Sequence, residues 1–309
     1  MPPVIIDVPA DPRREVRDSC PAARRLAASV AVIFDGVPPL RSSDGTWSLP
    51  TKPAPVSPPE RFSEQREVVR AFTGVLVGPD VLLTTRHRVN VRNPQGLFAA
   101  FGFAIGADGI PKTRFASDEV FRVCEVLGEG RYLANPEDDW LLLRLDAKPA
   151  RPALELDTRP LTSGTRLWMI GHPEGLPMKF VDGAHVIDTS ERSVLTDLVA
   201  SRGNSGSPVF REGSAAVLGI LRTASLSLAR AGAKVTWQRG KPGAPRIARV
   251  TRSQAFAARL QEVFAAAPAA DVDAVAVAGL GDGAPMRGQL AWTAAAASRP
   301  AVQATPPPA

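Results

Sequence analysis

The chain has 309 residues, 44% of them hydrophobic, which is enough for one or two buried cores built mainly from Val, Leu, Ile and Ala, since only 6% are aromatic. Its formal charge of +6 is spread without a dense basic run, which argues against nucleic-acid binding, and no long apolar stretch suggests a membrane-spanning helix. The two cysteines, Cys20 and Cys124, form no CxxC pair; a disulfide scaffold and a structural zinc are disfavoured, and a single bridge between the two is left open.

Residues 1–24 are rich in Pro and Arg and are expected to be loose or only locally helical. They lack a basic stretch followed by a long apolar run, so no signal peptide is expected and a cytoplasmic location is the default, with another route of export left open. SVAVIF, Ser29 to Phe34, reads as a short strand, and residues 35–60, with GVPP and PTKPAPVSPP, read as loop. ERFSEQREVVRAF is expected to open with a helical turn. FTGVLVGPDVLLTTRH then reads as two strands around Gly78-Pro79-Asp80. LFAAFGFAI, EVFRVCEVL, WLLLRL and TRLWMIG continue the series, and MKFVDGAHVIDTS suggests a hairpin around Asp182-Gly183. VLTDLVA, SPVF and AVLGILRTAS complete it.

Many short strands without intervening long helices indicate an all-β sandwich or barrel. SQAFAARLQEVFAAA, Ser253 to Ala267, is the clearest helix, with Phe256, Leu260 and Phe264 on one face and Ser253 as its expected cap. The Ala-, Gly- and Pro-rich residues that follow, to 309, are expected to be largely disordered. No periodic internal repeat is visible.

Three local patterns carry chemistry. A serine hydroxyl becomes a useful nucleophile only with a base in reach and a partner orienting that base. Ser205 lies in Gly203-Asn204-Ser205-Gly206-Ser207-Pro208, where the flanking glycines open backbone angles closed to other residues. The amides of Gly203 and Ser205 are then candidates to hold an oxyanion; a plain Gly-Ser turn is the competing reading. Of three histidines, His87 ends the apolar run VLLTTRH, while His172 and His185 read as structural, without metal-ligand spacing. Asp139 stands directly before an apolar strand, where a carboxylate can be buried against an imidazole; Glu137 and Asp138 beside it keep the choice of acid open.

VLLTTRH, DWLLLRL and GNSGSP resemble, in that order, the histidine, aspartate and serine motifs of the trypsin-like serine proteases. GNSGSPVF resembles the bacterial glutamyl endopeptidase-like branch most, and GHPEGLP is similar to a turn found between acid and serine. The resemblance spans residues 25–265. It implies two six-stranded antiparallel β-barrels with the site in their cleft and a C-terminal helix, flanked by a loose segment 1–24 and a tail 266–309. It implies His87 as general base, Asp139 as its orienter and Ser205 as nucleophile of a serine endopeptidase acting on polypeptides through an acyl-enzyme. No cofactor, metal, nucleic acid or membrane is expected to take part, and a monomer is the default.

The sequence also departs from family patterns. Arg88 follows His87 where many relatives carry Cys. Val199, followed by Ala200, stands where Lys/Arg-specific members carry Asp, and Leu221, followed by Arg222, where glutamate-specific members carry His. These four residues are the substrate-pocket candidates; the absence of charge at Val199, Ala200 and Leu221 favours a small or apolar side chain before the cut, while Arg222 is able to bind an acid unless strand alternation turns it outward. No Ile-Val-Gly-Gly start is present, so the need for activation cleavage stays open. A non-catalytic peptide-binding module and an esterase using the same site are the alternative functions.

Overall fold

Segments such as VAVIF and LLLRL place aliphatic side chains on both faces, the pattern of strands covered on both sides. The computed structural model describes residues 11–54, 61–223, 226–231, 234–239 and 248–266. It forms the two closed six-stranded antiparallel barrels that the resemblance implies.

The first barrel contains β1 (Val30–Asp35), β2 (Phe72–Leu76), β3 (Val81–Thr84), β4 (Leu97–Phe101), β5 (Val120–Glu129) and β6 (Leu141–Leu145). They pair in the cyclic order β1-β2-β3-β6-β5-β4 and back to β1. The second contains β7 (Arg166–Gly171), β8 (Lys179–Thr189), β9 (Ser193–Thr196), β10 (Pro208–Arg211), β11 (Val217–Thr223) and β12 (Ala248–Arg252). Their cyclic order is β7-β8-β9-β12-β11-β10 and back to β7. The two wirings are the same, strand for strand, a duplication that the sequence does not display as a repeat.

Alternation sorts each strand between two environments. Leu141 and Leu143 point into the first barrel with Ile33, Phe72, Leu82 and Phe101. Leu142 and Leu83 point the other way, into an apolar seam that also takes Trp168, Ile170, Phe210 and Ile220 from the second barrel. Trp168 and Phe210 stack there with ring centroids 4.1 Å apart. The second barrel has its own core, including Leu167, Met169, Val194, Val209 and Leu218.

Four local expectations change. Residues 11–24 are locally helical, as one reading allowed, with a 3-10 turn and the start of helix α1 (Pro21–Leu26), but they also carry a short strand, Arg14–Glu15, paired antiparallel to β8, in place of a loose stretch. Glu15 anchors this segment through a buried pair with Lys179 at 3.0 Å, and Lys179 also donates to Gln65 Oε1 and the Pro177 carbonyl, both at 2.7 Å. Burial lowers the Lys179 ammonium to about 8, with Glu15 opposing the change. Residues 61–64 form turns leading to a strand, Arg66–Val68, that pairs with Thr51–Pro53, so the prolines of the supposed loop admit short edge strands. Asp182-Gly183 is no hairpin: β8 runs through it, and positive φ at Gly183 accommodates a bulge opposite β7. Finally, Ser253 caps nothing. Its hydroxyl donates to the Val217 carbonyl at 2.6 Å, a 3-10 turn occupies 253–255, and helix α2 (Ala257–Ala266) starts after Phe256. Residues 1–10 and the tail from 267 onward lie outside the described residues.

Candidate functional site

His87 sits in a 3-10 turn directly after β3, and Asp139 two residues before β6, which pairs with β3. Adjacent strand ends thus bring His87 and Asp139 of the first barrel together. Asp139 is fully buried and uses both oxygens on one residue: Oδ2 lies 2.6 Å from His87 Nδ1, and Oδ1 accepts the His87 backbone N–H at 3.0 Å. This two-point grip fixes both ring orientation and tautomer, with the proton on Nδ1. The neighbouring Asp138 is occupied elsewhere, accepting from Trp140 Nε1, the Arg131 amide and Arg192.

Ser205 comes from the second barrel, in the link between β9 and β10. Its Oγ lies 3.2 Å from His87 Nε2, on the side of the ring away from Asp139. Ser205, His87 and Asp139 therefore form one chain of contacts across the cleft. A hydroxyl facing an imidazole held in this tautomer can lose its proton as it attacks a carbonyl.

The loop carrying Ser205 is shaped by close packing. Gly203 has φ +85°, and a Cβ there would collide with the His172 carbonyl. Gly206 has φ +87°, and a Cβ there would collide with the Thr73 carbonyl. Among the described residues the amides of Gly203 and Ser205 donate to no protein acceptor, whereas Asn204 N donates to Ser201 O, Gly206 N to Leu221 O and Ser207 N to Asn204 O. Two unspent donors beside Ser205 are what an oxyanion site requires.

The four pocket candidates are all buried. Val199, Ala200 and Leu221 pack in the second barrel's core. Arg222 reaches the Pro136 carbonyl through Nη1, while its Nε is buried without a partner. Burial pushes its guanidinium pKa down, with Asp139 as the foremost opposing charge. The other two histidines are structural. His172 is buried and donates Nδ1–H to the Leu176 carbonyl at 3.0 Å, and burial lowers it to about 3, so it stays neutral. His185 is exposed beside Asp197 at 3.6 Å. Cys20 and Cys124 are free and exposed.

Three residues near the site escape sequence reasoning. Tyr132 places its ring 5.8 Å from that of His87, and nothing in RYLAN marks it. Thr73 bonds to the Ser205 loop from β2; a lone hydroxyl between Phe72 and Gly74 is its only sequence signal. Glu174 turns at φ +53°, a left-handed angle costly for a side-chain-bearing residue, and its amide donates to the Arg202 carbonyl at 2.5 Å. Its Oε1 is buried without a partner, and burial raises its carboxyl from 4.5 to about 7, with Arg202 pulling the other way.

Between those two values the folded state holds a proton that the unfolded chain has released, so stability falls as pH rises through this window. Glu174→Gln is accordingly expected to be more stable than wild type by about 1–3 kcal/mol at pH 8 and to show no gain at pH 4, measured by urea unfolding.

Comparison with known proteins follows the same lines. A family model described as a trypsin-like peptidase domain matches residues 72–220. A glutamyl endopeptidase of Staphylococcus aureus (strain MRSA252) is 27% identical over 149 residues, which are 45% of this chain and 39% of that protein. The chain thus spans well under half of that relative's length in the match. A solved Glu endopeptidase superposes with a TM-score of 0.52 and 15% identity over 82% of this chain and 97% of that one, a likeness of fold.

Proposed function

We propose that the chain, whose residues 72–220 match a trypsin-like peptidase domain, is a serine endopeptidase with Ser205 as nucleophile, His87 as general base and Asp139 as the group that orients the base. The observation that carries this reading is the unbroken contact chain from Ser205 Oγ through His87 to buried Asp139.

Ser205 attacks the carbonyl carbon of a peptide bond as His87 Nε2 takes its proton. The carbonyl oxygen becomes an oxyanion held by the amides of Gly203 and Ser205. The imidazolium, stabilised by ionised Asp139, gives the proton to the leaving amine, which departs and leaves an acyl-enzyme. Water repeats the sequence and releases the acid. All steps are proton transfer and acyl transfer by groups of this chain. A preference for a small or apolar side chain before the cut rests on the sequence positions of Val199, Ala200 and Leu221, which carry no charge and whose side chains pack into the second barrel's core. Glutamate specificity does not follow from the Staphylococcus relative, because Leu221 fills the position of the expected histidine.

The test is labelling with a fluorophosphonate, mapping of the adduct by peptide mass spectrometry, and cleavage of a broad peptide library. A single adduct on Ser205 together with peptide cleavage is the expected result. A folded protein that takes no label and cuts nothing would replace this reading with a peptide-binding module; turnover of esters alone would replace it with an esterase.

A further inference from the structure

Gly203 has no side chain to fix its backbone, yet the direction of its N–H depends on the peptide plane before it, and the course of the loop to Ser205 on the plane after it. Both planes are pinned. In the Arg202–Gly203 peptide the carbonyl accepts the Glu174 N–H at 2.5 Å; because C=O and N–H of a trans peptide point oppositely, this turns the Gly203 N–H away from Glu174 and leaves it free. In the Gly203–Asn204 peptide the carbonyl accepts the Thr73 hydroxyl at 2.8 Å.

Thr73 does more than hold one carbonyl. The same Oγ1 accepts the His172 N–H at 3.1 Å, from the turn that contains Glu174. Thr73 N–H donates to the Ser205 carbonyl at 2.9 Å, and Thr73 O accepts from Thr84 Oγ1 at 2.7 Å, on the strand that leads to His87. Thr73 is fully buried, and each of these contacts is within hydrogen-bond range. One residue of the first barrel thereby ties the base strand, the nucleophile loop and the Glu174 turn.

We propose that Thr73 is a positioning residue for the oxyanion site, its hydroxyl fixing the Gly203–Asn204 peptide directly and, by holding the His172 turn that carries Glu174, the Arg202–Gly203 peptide whose N–H meets the developing charge. The proposal rests on the peptidase reading above for its catalytic consequence. A hydroxyl is required because the position must donate to Gly203 O and accept from His172 N at once, which serine can reproduce and valine, although close in shape, cannot.

The experiment compares wild type, Thr73→Ser and Thr73→Val by kcat and KM on a peptide substrate, by Ki of a peptide boronate that adds to the serine as a tetrahedral adduct, and by the 15N resonance of the Gly203 amide. Thr73→Val is expected to lose kcat by about 10- to 100-fold with KM little changed, to bind the boronate more weakly by a similar factor, and to shift the Gly203 amide. Thr73→Ser should restore all three. Unchanged kcat per folded molecule and an unmoved Gly203 amide in Thr73→Val, with only a lower melting temperature, would overturn the assignment. If wild type cleaves nothing, the peptidase reading fails separately; the Gly203 amide then decides Thr73, shifting in valine but not in serine if the hydroxyl fixes that peptide.

Discussion

Ser205→Ala is expected to lower kcat for peptide hydrolysis by about 10⁶-fold and to abolish fluorophosphonate labelling, while stability stays within about 0.5 kcal/mol of wild type. The size follows from the two-step route: without Oγ there is no acyl-enzyme, and only binding and the oxyanion donors remain to assist water. The small stability effect follows from the contacts. Among the described residues the side-chain hydroxyl hydrogen-bonds only to His87 Nε2, whose ring is partly exposed, whereas the bonds holding the loop are made by backbone and by Thr73. Active-site titration and urea unfolding check the two parts. Residual activity near one hundredth of wild type in a purified variant would show that another group performs the attack.

Asp139→Asn is expected to lower kcat by about 10⁴-fold with little change in KM. The geometry gives the reason. Both carboxylate oxygens accept from His87, one from the backbone N–H and one from Nδ1. An amide has a single acceptor oxygen. The backbone N–H cannot adapt, so it keeps the oxygen, and the amide NH₂ faces Nδ1. The ring then carries its proton on Nε2, toward Ser205, where it cannot accept one. Stopped-flow measurement of acylation, compared with Asp138→Asn, checks this. Asp138 serves Trp140, Arg131 and Arg192, so its variant should lose stability while kcat stays near wild type. Loss of acylation in Asp138→Asn and not in Asp139→Asn would reverse the assignment.

The motif-bearing parts of this site were legible because their local requirements are strict. A histidine at a strand end, an acid before an apolar strand and a serine between glycines each leave a mark in one short stretch. Register against the strand favours Asp139 there but leaves Asp138 open, because which carboxylate turns inward is decided by the pairing of β3 with β6, a contact between segments far apart in sequence. Thr73 and Glu174 were silent for a related reason: their effect runs through backbone groups of Arg202 and Gly203, and a hydroxyl or a left-handed residue gives no sign of what it will meet. The fold class was legible in the spacing of short strands. The course of β8 was not, since an Asp-Gly pair serves equally as a hairpin turn or a bulge, and only the facing strand decides. Likewise Ser253 has the composition of a cap but spends its hydroxyl on β11.

The shared wiring of the barrels bears on how this protein would fail. His87 lies on the link from β3 to β4 and Ser205 on the link from β9 to β10, corresponding positions in two separate closed sheets. Among the described residues no strand ladder joins those sheets, so the 3.2 Å between Oγ and Nε2 is a spacing between two bodies, set by the shims that fill their joint: Leu142, Trp168, Phe210 and the Thr73 crossbar. A substitution that thins a shim need not melt either body to misalign the proton path. Activity is therefore the most delicate gauge of that joint, and spectroscopic signals of the strands would register its wear last.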